Sequence, residues 1–218
     1  GSDLTRIQDG VNKHRPGYDL TFSAPKSVSM LAMLGGDKRL IDAHNRAVTV
    51  ALNQVESLAS TRVKKDGVSE TVLTGNLIIA RFNHDTSRAQ DPQIHTHSVV
   101  INATQNGDKW QTLASDTVGK TGFSETILAN RIAFGKIYQN SLRADVESMG
   151  YKTVDAGRNG MWEMEGVPVE SFSTRSQELR EAAGPDASLK SRDVAALDTR
   201  KSKEAIDPAE KMVEWMNT

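Results

Sequence analysis

The sequence contains no cysteine, which excludes disulfides and any thiolate-held zinc, so a bound metal has only His and carboxylate ligands available. No run approaches the roughly 20 apolar residues that span a bilayer. The opening Gly1-Ser2-Asp3-Leu4 has neither a basic leader nor an apolar signal region, so the reading is a cytoplasmic chain with no membrane segment. An excess of one charge is also lacking. Lys and Arg number 27 against 28 Asp and Glu, for a net charge of −1, which argues against a globally basic nucleic-acid coat protein and leaves any DNA binding to local patches. The first residue is not methionine, so the chain is expected to be a tagged or excised piece of something longer. What is present is ordinary: 37% hydrophobic and 25% charged residues over 218 positions, enough for one sizeable core.

Periodicity sketches the elements. Tyr18 to Ser23 reads as a strand, and Pro25 suits the first turn of a helix from Lys26 to Leu34 that Gly35-Gly36 stops. From Lys38 to Ala59 the residues Leu40, Ile41, Ala47, Val48, Ala51, Leu52, Val55 and Leu58 form one apolar stripe, the clearest helix of the chain. A turn at Lys65-Asp66-Gly67 separates Thr61-Arg62-Val63 from a β-rich run, Thr71 to Phe82. Further strands are expected at Gln93 to Ala103 and Lys109 to Leu113, following one another as an antiparallel meander. Ser124 to Met149 is a long helix, followed by short strands at Tyr151 to Val154 and Met161 to Met164. A helical tail opens at Asp207-Pro208-Ala209-Glu210. The fold class is therefore α+β, a mainly antiparallel sheet flanked by helices, with residues 1–165 as the core and residues 166–218 as a helical C-terminal part of the same domain.

Three of the five histidines, His84, His95 and His97, fall within fourteen residues. Alternate strand residues share a face, so His95 and His97 point the same way, and a hairpin around Asp91-Pro92 returns His84 beside them. Three imidazoles suit a transition metal and leave coordination positions open, the pattern of a catalytic site. Polar sheet residues with satisfied hydrogen bonds are the plainer alternative. Gly119-Lys120-Thr121 imitates the end of a P-loop, but Ala114 stands where an earlier glycine is required, so it is not a nucleotide site.

The stretch from His14 through Arg15-Pro16-Gly17-Tyr18-Asp19 to Ala24-Pro25-Lys26-Ser27-Val28-Ser29 resembles a signature of MobF-type conjugative relaxases. Gly75-Asn76-Leu77, then Phe82-Asn83-His84-Asp85-Thr86-Ser87-Arg88, then Gln93-Ile94-His95-Thr96-His97 resembles their metal motif. The likeness continues through Gly119 to Phe123 and Leu189 to Asp193, and is strongest to the relaxase-helicases of F-like plasmids. It implies a His-hydrophobic-His endonuclease fold and site-specific nicking and rejoining of single-stranded DNA at a plasmid origin of transfer. It also implies a tyrosine nucleophile, a divalent metal held by His84, His95 and His97, and a helicase further along the parent protein. By position Asp19 matches the acidic residue beside the metal, able to orient a ligating imidazole or help activate the tyrosine. The family's tyrosines lie at the extreme N-terminus. Tyr18, Tyr138 and Tyr151 do not match them, so the chain is expected to bind without nicking. The resemblance favours Mg or Mn, while three neutral imidazoles also suit Zn, Ni or Co. Other proteins of the relaxosome are expected partners.

For DNA contact the long helix offers Arg131 and Gln139, eight residues apart and expected on nearly one exposed face, with Lys136 and Asn140 nearby. Lys120, Arg81, Arg88, Lys190, Arg192, Arg200 and Lys201 are phosphate candidates. Trp110 and Trp162 could stack bases, although a strand Trp is more often core. Two other classes account for the histidines alone: a three-His zinc hydrolase, and a non-catalytic single-stranded DNA-binding module that retains a metal site.

Overall fold

A computed structural model describes residues 7–8, 11–12, 15–87, 91–115 and 122–172. The expected tail helix, with Lys190, Arg192, Arg200 and Lys201, lies outside the described residues, as do Arg88 and Lys120. The chain divides into two compact units. The first comprises Gly1–Phe22, Asn45–Phe82 and Thr96–Leu142, and the second Ser23–His44, Asn83–His95 and Arg143–Thr218.

The elements run β1 (Ile7–Gln8), β2 (Val11–Asn12), β3 (Gly17–Ser23), α1 (Lys26–Met33), α2 (Arg39–Ser57), β4 (Ser60–Lys65), β5 (Val68–Leu73), β6 (Ile79–Thr86) and β7 (Pro92–Ile101). They continue with β8 (Thr104–Asn106), β9 (Lys109–Gln111), α3 (Phe123–Ser148), β10 (Thr153–Asp155), β11 (Trp162–Met164) and a short 3-10 turn at Val169–Phe172. The α+β class holds: antiparallel strands and helices, including the three expected long ones.

The meander does not hold. The run from Thr71 to Phe82 is broken: β5 pairs with β4 in one hairpin, β8 pairs with β9 in another, and β6 joins a separate three-stranded sheet in the order β3-β7-β6. Gly75, at φ +67°, makes the break. Asn76 then holds the detour by imitating a strand. Its side-chain oxygen accepts the Gln105 N–H at 2.7 Å, and its side-chain nitrogen donates to the Gln105 carbonyl at 2.8 Å.

In the first unit, the stripe of α2 ends in a core of Val55, Ala59, Val100, Leu113, Phe123, Ile127 and Phe134, with Tyr18, Leu20, Leu77 and Ile79 packed against it. In the second, α1 buries Val28, Met30 and Ala32, and Trp162 is fully buried. No side chain of α1's own capping position bonds its first turn. Glu163 of β11 does so instead, accepting the Ser27 N–H at 2.9 Å and the Ser27 hydroxyl, a carboxylate where the helix dipole favours one.

Candidate functional site

The central strand β7 sorts its neighbours by face. Its even positions, Ile94, Thr96, Ser98 and Val100, are all buried, while the odd positions Gln93, His97, Val99 and Ile101 are partly open, as period-two alternation leads one to expect; His95 alone among the odd positions is buried. At the two ends of β3, Asn102 N–H donates to the Pro16 carbonyl at 3.0 Å and Ala24 N–H to the Ile94 carbonyl at 2.9 Å, so β3 runs antiparallel to β7. Counting inward sets Thr21 opposite His97. On the other side Ile101 N–H donates to the Ile78 carbonyl at 2.9 Å, and the same counting sets His84 opposite His95 and Phe82 opposite His97.

In the second unit the rings of His84 and His95 stack, centroids 5.2 Å apart and planes 20° from parallel. His95 Nδ1 lies 3.0 Å from the Gln93 carbonyl. A carbonyl only accepts, so Nδ1 carries the proton and the ring's lone pair is on Nε2. The hairpin behind this pair is closed by Ser87 N–H to the Asp91 carbonyl at 2.9 Å and Asp91 N–H to the Ser87 hydroxyl at 3.2 Å. Lys26 tethers it through an ion pair with Asp91 at 3.6 Å. Burial holds the Lys26 ammonium below its usual range, and Asp91 partly offsets that.

In the first unit His97 Nδ1 meets the Asp19 carboxylate at 2.8 Å and the Thr21 hydroxyl at 3.1 Å. The carboxylate accepts a hydrogen bond from Nδ1–H, which again places the lone pair on Nε2. Each residue of Arg15-Pro16-Gly17-Tyr18-Asp19 has a traceable task. Arg15's carbonyl accepts Asn102 Nδ2 at 2.9 Å and Pro16's carbonyl accepts the Asn102 N–H. A Cβ on Gly17 would stand 2.5 Å from the Val100 carbonyl oxygen, so only glycine fits. Tyr18 bonds the Ser124 hydroxyl at the start of α3 and lies edge-on to Phe123, and Asp19 turns outward to His97.

The three imidazoles thus gather as pairs: His84 with His95, and His97 with Asp19. Among the described residues no group of three or more His, Cys, Asp or Glu side chains is already arranged to hold a metal ion.

The expectation that Arg131 and Gln139 share one exposed face is corrected. Arg131, Lys136 and Asn140 are exposed on α3, but Gln139 is 7% exposed. Eight residues advance a helix by about 80° beyond two full turns, enough to carry Gln139 into the core beside Tyr138 and Leu142. Arg81 donates to the Thr49 hydroxyl at 2.7 Å and the Asn45 carbonyl at 3.0 Å of α2, which ties it to the fold. Trp162 is core, as the plainer reading had it, while Trp110 is 40% exposed.

The three tyrosines Tyr18, Tyr138 and Tyr151 all lie among the described residues. Tyr18 is bonded to Ser124. Tyr138 is buried, which pushes its phenol well above its usual range. Tyr151 donates to Asp37 at 2.5 Å, and that bond raises it too. Sequence reasoning missed Asn102 and Thr21. For Thr21 the available signal was strand alternation, since it shares a face with Asp19; Asn102 carried none.

Comparison with known proteins gives a consistent answer. The family model for the TrwC relaxase matches residues 1–218. Two Escherichia coli proteins, each a multifunctional conjugation protein TraI, are 73% and, for strain K12, 70% identical over 218 residues, all of this chain and 12% of theirs. The chain therefore spans about 12% of the length of these curated relatives. A metal-free structure of the conjugative relaxase TrwC in complex with oriT DNA superposes with a TM-score of 0.84 at 32% identity, over 100% of this chain and 77% of that one. A copper-bound complex of the same relaxase gives 0.84 at 33% identity, over 100% and 74%.

Proposed function

The chain belongs to the TrwC relaxase family, and we propose on that footing that it nicks and rejoins single-stranded DNA at a plasmid origin of transfer during conjugation. In the cell it acts in the cytoplasm with the other proteins of the relaxosome, as the part of a longer relaxase-helicase that handles the scissile strand. The observation carrying this reading is the Asp19 contact to His97 Nδ1, a carboxylate-imidazole pair of the kind that prepares a histidine to bind a metal.

The donor set fits a divalent metal. His95 and His97 both commit Nδ1 to an oxygen acceptor, so both offer Nε2, and His84 is an exposed residue beside His95. His84, His95 and His97 would hold the ion. Manganese satisfies both the imidazole donors and the oxygen-rich phosphate that would complete its shell. Such an ion supplies Lewis-acid polarisation of a phosphate oxygen. The chain's own residues do the rest: Asp19 fixes the ring and tautomer of His97, Thr21 braces the same nitrogen, and Arg131 and Lys136 on exposed α3 offer charge to the strand's phosphates. The nucleophile is a tyrosine other than Tyr18, Tyr138 and Tyr151, whose hydroxyls are committed or buried. Its attack displaces the 3′-oxygen and leaves a 5′-phosphotyrosine with a 3′-hydroxyl, and the reverse step rejoins the strand.

The test is a pair of gels with a labelled origin single strand and Mn²⁺. The chain shifts the strand in a native gel and leaves no adduct in a denaturing gel, whereas a version extended at its N-terminus with the relatives' tyrosine segment forms one. A covalent adduct formed by the chain alone, abolished by Tyr18→Phe or Tyr151→Phe, contradicts the assignment of the nucleophile. Failure to shift origin DNA at low salt contradicts the reading as a whole.

A further inference from the structure

The four phenylalanines from Phe22 to Phe134 divide sharply. Phe22, Phe123 and Phe134 are in the core, but Phe82 is 53% exposed. Its position on β6 sets it opposite His97 by the register counted from the Ile101–Ile78 hydrogen bond, about 5 Å away across the ladder. Along β6 it shares a face with His84, two residues on and about 7 Å distant. The residue before it, Arg81, is pinned to Thr49 and Asn45 of α2. Alternation therefore holds Phe82 on the opposite, solvent-facing side. Single exposed apolar side chains are common on protein surfaces, but this ring stands on the face that carries His84 and His97, and none of the packing described above uses it.

We propose that Phe82 is a stacking platform for the nucleobase next to the phosphate that the imidazole face grips. This rests on the single-stranded DNA reading and deepens it. The ring lies within one strand spacing of His97, so a nucleotide with its phosphate at the imidazoles places its base over Phe82. A flat π-face accepts any base, so Phe82 adds affinity and fixes the strand's path without selecting sequence. Reading of sequence is left to other residues.

The experiment is fluorescence anisotropy of labelled single strands covering the nick region of the origin of transfer, intact and with one abasic site stepped through it. The full chain is compared with Phe82→Ala, Phe82→Leu and Phe82→Trp. Leucine keeps apolar bulk but lacks the π-face. Alanine and leucine lower affinity for the intact strand by roughly 5- to 100-fold, tryptophan retains it, and all four proteins melt at the same temperature. One abasic position weakens the wild type and has no further effect on the alanine variant, the signature of a single shared contact. Wild-type affinity in the alanine and leucine variants, or an abasic profile that the alanine variant reproduces in full, overturns the proposal while leaving the relaxase reading intact. If the wild type binds none of the strands, both fall together.

Discussion

The N-terminal residues of β3 and the first turns of α3 lie in the same unit and differ in how their residues are used. From Arg15 to Asp19 every residue is tied to a neighbour: Arg15 and Pro16 through Asn102, Gly17 against the Val100 carbonyl, Tyr18 to Ser124, Asp19 to His97. From Leu128 to Ala133 six consecutive residues are exposed, among them Leu128 at 59% and Ile132 at 53%. The strand spends its residues on placing one carboxylate. The helix holds its shape through its own backbone and leaves its side chains to whatever comes from solution. A site built this way separates positioning from contact, so substitutions in the two regions should fail in different ways.

The largest expected effect is at Gly17. Gly17→Val drives a side chain into the Val100 carbonyl and destabilises the fold by about 3 kcal/mol, lowering the melting temperature by roughly 6–12 °C. A melt within a degree or two of wild type breaks the claim that β3 is fixed by close backbone approach. Next is Asn102→Leu, which strands the Arg15 carbonyl and the Leu113 N–H that Asn102 Oδ1 accepts at 3.0 Å. The cost is about 2 kcal/mol by denaturant unfolding. Asn102→Asp keeps the Leu113 bond but sets a carboxylate oxygen against the Arg15 carbonyl at a buried position, so it is expected to cost a comparable amount. The smallest effect on stability is at α3. Arg131→Ala and Ile132→Ser change it by no more than about 0.5 kcal/mol, yet Arg131→Ala weakens single-strand binding and lowers the slope of affinity against salt by about 1. If Arg131→Ala unfolds the chain or leaves the slope untouched, the contrast between the two regions is lost.

How much of this was legible in the sequence follows the same division. The stripe of α2 announced itself because nearly every apolar residue in it reaches a core. The exposed start of α3 announced only a helix, and its spacing invited the error at Gln139, where eight residues were read as one face although the helix had turned by about 80°. The histidine cluster was legible because strand alternation is a strict period. Asp19 was legible as an acid on the strand β3, but its partner was implied only by the family likeness, since two residues 78 positions apart carry no local signal of contact. The break between β5 and β6 was hidden by an almost uninterrupted run of β-formers. Only Gly75-Asn76 marks it, through backbone geometry and a side chain standing in for a strand.

The central proposal is that His84, His95 and His97 bind a divalent metal, with His95 and His97 each held through Nδ1 by an oxygen acceptor, and calorimetric titration of the chain with Mn²⁺ tests it most directly. One equivalent of Mn²⁺ should bind wild type. Binding should vanish in His84→Ala, His95→Ala and His97→Ala, and weaken by roughly 10- to 100-fold in Asp19→Asn, which keeps the side chain's size but no longer anchors the imidazole with a charge. Unchanged affinity in His97→Ala or in Asp19→Asn would contradict the account, because the 2.8 Å contact between those residues would then be an ordinary surface pair.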